Sequence, residues 1–313
     1  MTDINYSIII CTYNQRSTLE KSLEKLRLQI KQPRHFEVII ADDCSTDDTQ
    51  PFIKSLRFPI FLKYCRSEYQ SGRAENRNRG IEKAVGEWLI FLDGDIIPDN
   101  NFVQVLLGSL NHPEKRVYIG SLQYPPEWKS GNFEKYYYSR GRLNFRTGQA
   151  VPGKYFTSSN FAIKNSAMKL LSGFDIKYKS WGGEDTDFGL RLEKAGLEIT
   201  YLADAICYHY DRKSINEIID GYEKYGEHGC PILFSKHPNI VIFKFGWLLG
   251  LPDSNKSAFK KFLAGIVRPL HSGIILGCIK ILANIWNGKL ANNLVYDWLL
   301  YGHLARGYRK AKK

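Results

Sequence analysis

The sequence predicts an α/β protein built on a doubly wound, mostly parallel sheet, with a helical, basic C-terminal region appended. Three observations carry this prediction. Short apolar runs alternate with helix-period stretches over the first hundred residues, acidic residues stand just after several of those runs, and the net charge of +12 is concentrated near one end. The 313 residues, 43% hydrophobic and 24% charged, suffice for one large core or one core plus an appendage.

The first strands are read from Tyr6–Cys11, Phe36–Ala41, Ile60–Cys65 and Trp88–Leu92, runs rich in isoleucine and aromatics that suit burial on both faces of a parallel sheet. Between the first two, Leu19, Leu23, Leu26 and Ile30 recur at helical spacing, and Ser17 with Glu20 predicts a capping box at that helix's start. Further helices are expected near 48–56, 74–85 and 102–110. The resulting βαβα order places ligands at the carboxyl ends of the strands. Residues 123–157, with the run Tyr136-Tyr137-Tyr138, read as a loop-rich, acceptor-side region, and 158–210 return to strand–helix order. The expected division is a catalytic domain over 1–210 and a helical basic region over 211–313.

Three acidic clusters fall at predicted strand ends or turns: Asp42 and Asp43, Asp93 and Asp95, and Glu184, Asp185 and Asp187 beside Gly182 and Gly183. Singly, each reads as solvated turn residues. Carboxylates gathered on one sheet rim repel one another unless a cation joins them, and a hard divalent ion that bridges substrate phosphates is the simplest partner. The six cysteines are scattered without a C-x-x-C pair and read as reduced thiols of a cytoplasmic protein. No basic segment followed by a long apolar stretch marks a secretion signal in MTDINYSIII.

Over roughly residues 5–210 the chain resembles the bacterial-type family-2 glycosyltransferases of the GT-A fold. The resemblance rests on Ile10-Cys11-Thr12-Tyr13-Asn14, the stretch Ala41-Asp42-Asp43-Cys44-Ser45-Thr46-Asp47-Asp48-Thr49, the helix opening Ala74–Gly80, and Phe91-Leu92-Asp93-Gly94-Asp95. It closes with Trp181-Gly182-Gly183-Glu184-Asp185-Thr186-Asp187-Phe188, then Arg191-Leu192 and Gly196. The resemblance implies transfer of a sugar from a nucleotide-diphosphate donor, a UDP-sugar by preference, to an acceptor hydroxyl of a glycan or lipid-linked glycan, as in polysaccharide biosynthesis.

It also implies a role for each matching residue. Thr12 and Asn14 would line the nucleotide pocket, Asp42 would accept from the imino N–H of a uracil-like base, and Arg73 and Arg77 would lie near the diphosphate. Asp95 would ligate Mn²⁺ or Mg²⁺, with Asp93 nearer the ribose, and His209 matches a histidine that some relatives add as a ligand. Asp185 would be the general base of a direct, inverting displacement. Glu184 would hold acceptor hydroxyls, Trp181 would stack on a sugar face, and Gly182 and Gly183 would permit close backbone approach. The same acids would also favour a helix N-terminus.

Residues 256–313 hold eleven Lys and Arg against one acid, Asp297, and so carry +10 of the +12. Within 259–286 the apolar runs are broken by Arg268, Pro269, His271 and Lys280, and the longest uncharged run, 269–279, is far below the roughly 20 residues of a spanning helix. With Trp286, Trp298 and Leu299 beside basic residues, this region reads as an interfacial segment on an anionic membrane surface, placing the protein peripherally on the inner face of the cell membrane. The alternative is a helical cap with solvated lysines. Nucleic acid is not expected, because no recognition motif accompanies the charge. Other readings of the motifs are a nucleotidyltransferase, which would carry a glycine-rich basic loop where CTYNQRST has no glycine, a catalytically silent scaffold, and a retaining transferase.

Overall fold

The computed structural model describes residues 4–110, 116–129, 131–139, 145–242, 246–252, 258–267, 275–279, 281 and 292–312. It comprises two compact units. Unit 1 holds residues 1–128, 141–176 and 188–212, and unit 2 holds 129–140, 177–187 and 213–313. The expected boundary at 210/211 lies close to the start of the main unit 2 segment, but unit 2 also takes two shorter segments from within the expected catalytic domain.

Unit 1 is a mixed eight-stranded sheet with helices. Its strands are β1 (Tyr6–Thr12), β2 (Phe36–Asp42), β3 (Phe61–Arg66), β4 (Trp88–Asp93), β5 (Ile96–Pro98), β6 (Arg116–Gln123), β7 (Asn160–Lys164) and β8 (Glu198–His209), in the order β3-β2-β1-β4-β7-β6-β8-β5. The first four neighbours are parallel, β7 runs antiparallel to both β4 and β6, and β6 pairs parallel with β8. The apolar runs explain the central strands: Ile8, Ile9, Ile10, Val38, Ile39 and Ile40 are buried on alternating faces, each contributing about 1.5–3 kcal/mol. β3 is the edge, and Phe61 there is exposed, so burial on both faces was too strong an expectation for that run.

The helix α1 (Arg16–Gln29) seats Leu19, Leu23 and Leu26 in the core. The expected Ser17–Glu20 capping box does not form, because the helix starts two residues earlier with Gln15 at the N-cap. Instead Glu20 pairs with Arg16 at 2.6 Å, and the Arg16 backbone N–H donates to Asp47 Oδ2 at 3.1 Å. Further helices of unit 1 are α2 (Thr49–Ser55), α3 (Arg73–Lys83), α4 (Phe102–Leu110) and, later in the chain, α6 (Asn165–Leu170).

In unit 2 the tyrosine-rich stretch is helical rather than irregular, forming α5 (Asn132–Ser139). Tyr136 packs with Ile218, Ile219, Tyr296, Leu299 and Leu300, and its hydroxyl donates to Asp297 Oδ1 at 2.7 Å. The helix Asn292–Lys310 therefore buries Leu299 in protein, which corrects its expected place on a membrane-facing surface. Arg268, Pro269, His271, Lys280 and Trp286 lie outside the described residues. Among those described, no helix is long and apolar enough to cross a membrane.

Candidate active site

The polar rim of unit 1 begins with the turn after β2. Asp42 is fully buried, its Oδ1 accepting from the Ser45 N–H (2.9 Å) and hydroxyl (2.6 Å), and its Oδ2 from the Tyr64 hydroxyl at 2.5 Å. Burial, then the neighbouring Asp42 carboxylate, keep the Tyr64 proton in place by pushing that phenol's pKa up. Asp42 thus holds a turn with donors from its own chain, and the expected hydrogen bond from a nucleotide base would add to these. Asn14 fastens the same turn from β1. It adopts φ = 54°, and its Oδ1 accepts from the Thr46 N–H at 2.7 Å while its own N–H donates to Ser45 Oγ at 2.9 Å.

Asp43 reaches toward α3, its Oδ1 accepting from the Ser71 N–H at 2.7 Å and its Oδ2 from the Gly72 N–H at 2.9 Å. That anchor sets the start of α3, which carries Arg73 on its exposed side and Arg77 inward. Arg77 Nη2 donates to Asp93 Oδ1 at 3.0 Å. Burial works to raise the Asp93 pKa, but Arg77, Arg73 and the Ser159 hydroxyl outweigh it and hold the carboxyl below its ordinary range. The two arginines and Asp93 are therefore electrostatically joined.

Between the two acids, Gly94 leaves no room for a side chain: a Cβ there would sit 2.6 Å from Gln15 Oε1 and 2.8 Å from Thr12 Oγ1. Thr12 is buried beneath this turn, and its hydroxyl has no hydrogen-bond partner. Asp95 Oδ2 faces His209 Nε2 at 3.3 Å, and its Oδ1 is buried without a hydrogen-bond partner. One ligand atom each from Asp95, His209 and Asp211 lies within 4.8 Å of the others. Two carboxylates, an imidazole and an unsatisfied buried oxygen suit a divalent cation. Asp211 was not anticipated, although its spacing of two from His209 was visible.

The other predicted residues lie in unit 2. Gly182 and Gly183 have φ of 97° and 103°, and side chains there would strike the rings of Tyr225 (2.6 Å) and Tyr178 (2.7 Å). Only glycine meets both demands. The backbone then enters α7 (Glu184–Lys194), whose first turn carries Glu184, Asp185 and Asp187 at the favourable end of the helix dipole. Glu184 is buried, Asp185 half-buried, and Asp187 fully buried against Lys236 Nζ (2.5 Å) and His237 Nε2 (2.9 Å). Trp181 is half-buried against Tyr222, with ring centroids 5.6 Å apart. The structure thus gathers Asp93 with Arg77, and Asp95 with His209, in unit 1, while Trp181, Gly183, Glu184 and Asp185 are neighbours along one segment of unit 2.

Residues 7–168, more than half of the chain, match the family described as glycosyl transferase family 2. The chain belongs to that family. A second match, over residues 146–213, is to the N-terminal domain of galactosyltransferase. Among curated relatives of this family-2 chain, a validoxylamine A glucosyltransferase of Streptomyces hygroscopicus subsp. limoneus is 27% identical over 227 residues, covering 62% of this chain and 49% of its own. A hyaluronan synthase of Pasteurella multocida is 26% identical over 251 residues, covering 66% and 25%. The chain thus spans half or less of the length of these two relatives. In fold it is similar to residues 1–349 of S. aureus TarS, solved with UDP-GlcNAc (TM-score 0.60, 15% identity, 99% of this chain and 90% of that one). It is likewise similar to the mannosyltransferase PcManGT of Pyrobaculum calidifontis, solved with GDP-Man and Mn²⁺ (TM-score 0.60, 16% identity, 98% and 87%). The architecture is the GT-A fold.

Proposed function

We propose that this protein is an inverting glycosyltransferase that moves a sugar from a nucleotide-diphosphate donor, a UDP-sugar, to a hydroxyl of a glycan or lipid-linked glycan. The observation that carries the reading is the unit 1 rim, where Asp95 and His209 converge beside the Arg77–Asp93 pair. Asp95 and His209 would hold Mn²⁺ or Mg²⁺, which when bound neutralises charge on the departing diphosphate. Arg77 and Arg73 supply fixed positive charge for the same diphosphate, with Asp93 oriented by Arg77 toward the ribose. Thr12 and Asn14 line the nucleotide pocket, Asn14 while also accepting from the Thr46 and Asp47 backbone N–H groups.

Asp185 takes the proton of the acceptor hydroxyl as its oxygen bonds to the anomeric carbon. The carbon–oxygen bond to the diphosphate breaks with its electron pair leaving on the diphosphate, so an α-linked donor yields a β-linked product. Glu184 and Trp181 hold the acceptor, and Gly183 lets the backbone approach it. The basic C-terminal region adds an anionic membrane surface as a partner, placing the enzyme on the cytoplasmic face. Its support is the helix Ala258–Val267, where Phe262 and Ile266 are 66% and 57% exposed in a sequence that includes Lys260 and Lys261. Flotation with anionic vesicles tests that part, and a protein that stays at the bottom of the gradient removes it.

The decisive experiment is a thermal-shift panel of UDP, GDP, CDP and ADP with and without Mn²⁺. A ligand at a hundred times its Kd stabilises the native state by about 2.7 kcal/mol, a readily seen shift. A metal-dependent rise with UDP supports the donor assignment. No rise with any nucleotide overturns it and favours a catalytically silent member of the family.

A further inference from the structure

Asp211 stands two residues beyond His209, just past the end of β8, and shares a 4.8 Å neighbourhood with the ligand atoms of Asp95 and His209. The three residues are held by backbone pairing. Ile96 pairs with His209 and Pro98 with Cys207 in the β5–β8 ladder, and the Tyr210 N–H donates to the Asp95 carbonyl at 2.8 Å. Both neighbours of Asp211 are anchored as well. The Tyr210 hydroxyl donates to Glu127 Oε1 at 2.7 Å, its ring meets Trp128 edge-on at 5.5 Å, and the Arg212 guanidinium lies 5.9 Å from the Trp128 ring centroid. The residues on both sides of Asp211 are thus held in place.

The donor chemistry supplies a second, independent pointer. Asp95 Oδ1 is a buried carboxylate oxygen without a hydrogen-bond partner, a costly arrangement unless a cation completes it. An octahedral ion with bonds of about 2.1 Å sets adjacent donors about 3 Å apart and opposite ones about 4.2 Å apart. Asp95 and His209 already meet at 3.3 Å, and all three ligand atoms lie within 4.8 Å of one another.

We propose that Asp211 is a third protein ligand of the divalent cation, so that the chain grips the ion before any nucleotide arrives. The proposal rests on the assignment of Asp95 and His209 as ligands made above, and it deepens that assignment. Two carboxylates and one neutral imidazole bring two negative charges to a doubly charged ion, and the nitrogen donor tilts the preference from Mg²⁺ toward Mn²⁺. A site with only Asp95 and His209 would depend on diphosphate oxygens to retain the metal. A three-ligand site binds it alone.

The test is Mn²⁺ binding to the full chain without nucleotide, followed by loss of the free-ion electron paramagnetic resonance signal and repeated with UDP. Asp211→Asn should weaken binding at least tenfold, since even outer-shell partners of metal ligands cost 10–100-fold. Asp211→Glu, which keeps the charge, should recover part of the loss and guards against a folding defect in the asparagine variant. If Asp211→Asn binds Mn²⁺ like wild type while Asp95→Asn does not, the third-ligand assignment is overturned and the Asp95–His209 assignment stands. If wild type binds no Mn²⁺ with or without UDP, the underlying metal assignment fails, and this proposal with it.

Discussion

Asp93 and Asp95 at the end of β4 and Asp185 and Asp187 at the start of α7 are both acid pairs two residues apart, and the fold treats them differently. In unit 1, Asp93 is neutralised by Arg77, whereas Asp95 keeps one buried oxygen without a hydrogen-bond partner and gathers His209 and Asp211 around it. In unit 2, the fully buried Asp187 is paired with Lys236 and His237, and Asp185 stays half-buried on the same helical turn. Each pair thus contains one carboxylate held by basic side chains of the fold, Asp93 by Arg77 and Asp187 by Lys236 and His237. The β4 pair is arranged to attract a cation. The α7 pair uses a lysine and an imidazole to pin a helix start.

Two substitutions on one helical turn would break or sharpen that contrast. Asp185→Asn should lower kcat by about 10²–10⁴-fold, the usual worth of a general base, while leaving donor affinity and melting temperature near wild type. Steady-state turnover with a competent acceptor, beside UDP binding, reads both quantities, and wild-type turnover would remove the base assignment. Asp187→Asn should do the reverse. Removing a buried partner costs about 3–5 kcal/mol, and the lower end applies because Lys236 and His237 retain 30% and 19% of their side-chain exposure to rehydrate. Urea unfolding measures the loss. A stable Asp187→Asn variant would mean that the first turn of α7 is held by its helix and glycines alone.

The central strands were legible because β1, β2 and β4 are apolar runs long enough to be buried on both faces, and their ends fall within one residue of expectation. The GT-A assignment was legible because its motifs hug those strand ends. What escaped depended on partners distant in sequence. Nothing local reveals that Tyr136 will meet Tyr296 and Asp297, so an aromatic helix read as a loop. Asp42 and Asp43 are adjacent acids, and only Ser45, Tyr64 and Ser71 decide that Asp42 faces a turn while Asp43 anchors α3. The Ser17–Glu20 box lost to Asp47, whose carboxylate reaches the Arg16 N–H from the neighbouring turn. Asp211 was in plain view, but a third ligand is recognisable only when strand pairing brings Asp95 beside it.

Within unit 1, Arg77 tests whether the Asp93 charge is held by that arginine or tolerated without it. In Arg77→Met, burial is the largest influence left on Asp93, and its pKa should rise from below the ordinary carboxylate range toward or above it. The sign follows from linkage. In wild type the depressed pKa contributes stability that is present above the unfolded-state value of about 3.9 and lost as pH falls through the folded-state value. The variant loses that contribution, so the stability gap between the two proteins should be widest near pH 7, at about 2 kcal/mol, and shrink as pH falls below about 4. Urea unfolding across pH 3–7 reads it. A gap that is flat with pH would mean that Arg77 acts through packing on Phe174, whose ring lies 5.4 Å from the guanidinium carbon, rather than through charge.

The smallest expected effect concerns the turn between Asp42 and Ser45. Cys44 sits at φ = 69°, a conformation that costs a side-chain-bearing residue about 1–2 kcal/mol and glycine almost nothing. Against that strain stand two weak sulfur contacts, to the Glu68 carbonyl at 3.4 Å and from Arg66 Nη2 at 3.5 Å. Glycine also loosens the unfolded chain, which offsets about 0.4–1 kcal/mol of the relief. Cys44→Gly should therefore stabilise unit 1 by about 0.5 kcal/mol, read as a small rise in the urea midpoint with an unchanged slope. The turn would keep its shape because Asp42, Ser45 and Asn14 define it, not the thiol. A loss of more than about 1 kcal/mol would reverse that ranking and make Cys44, through Arg66, a structural partner of the buried Asp42.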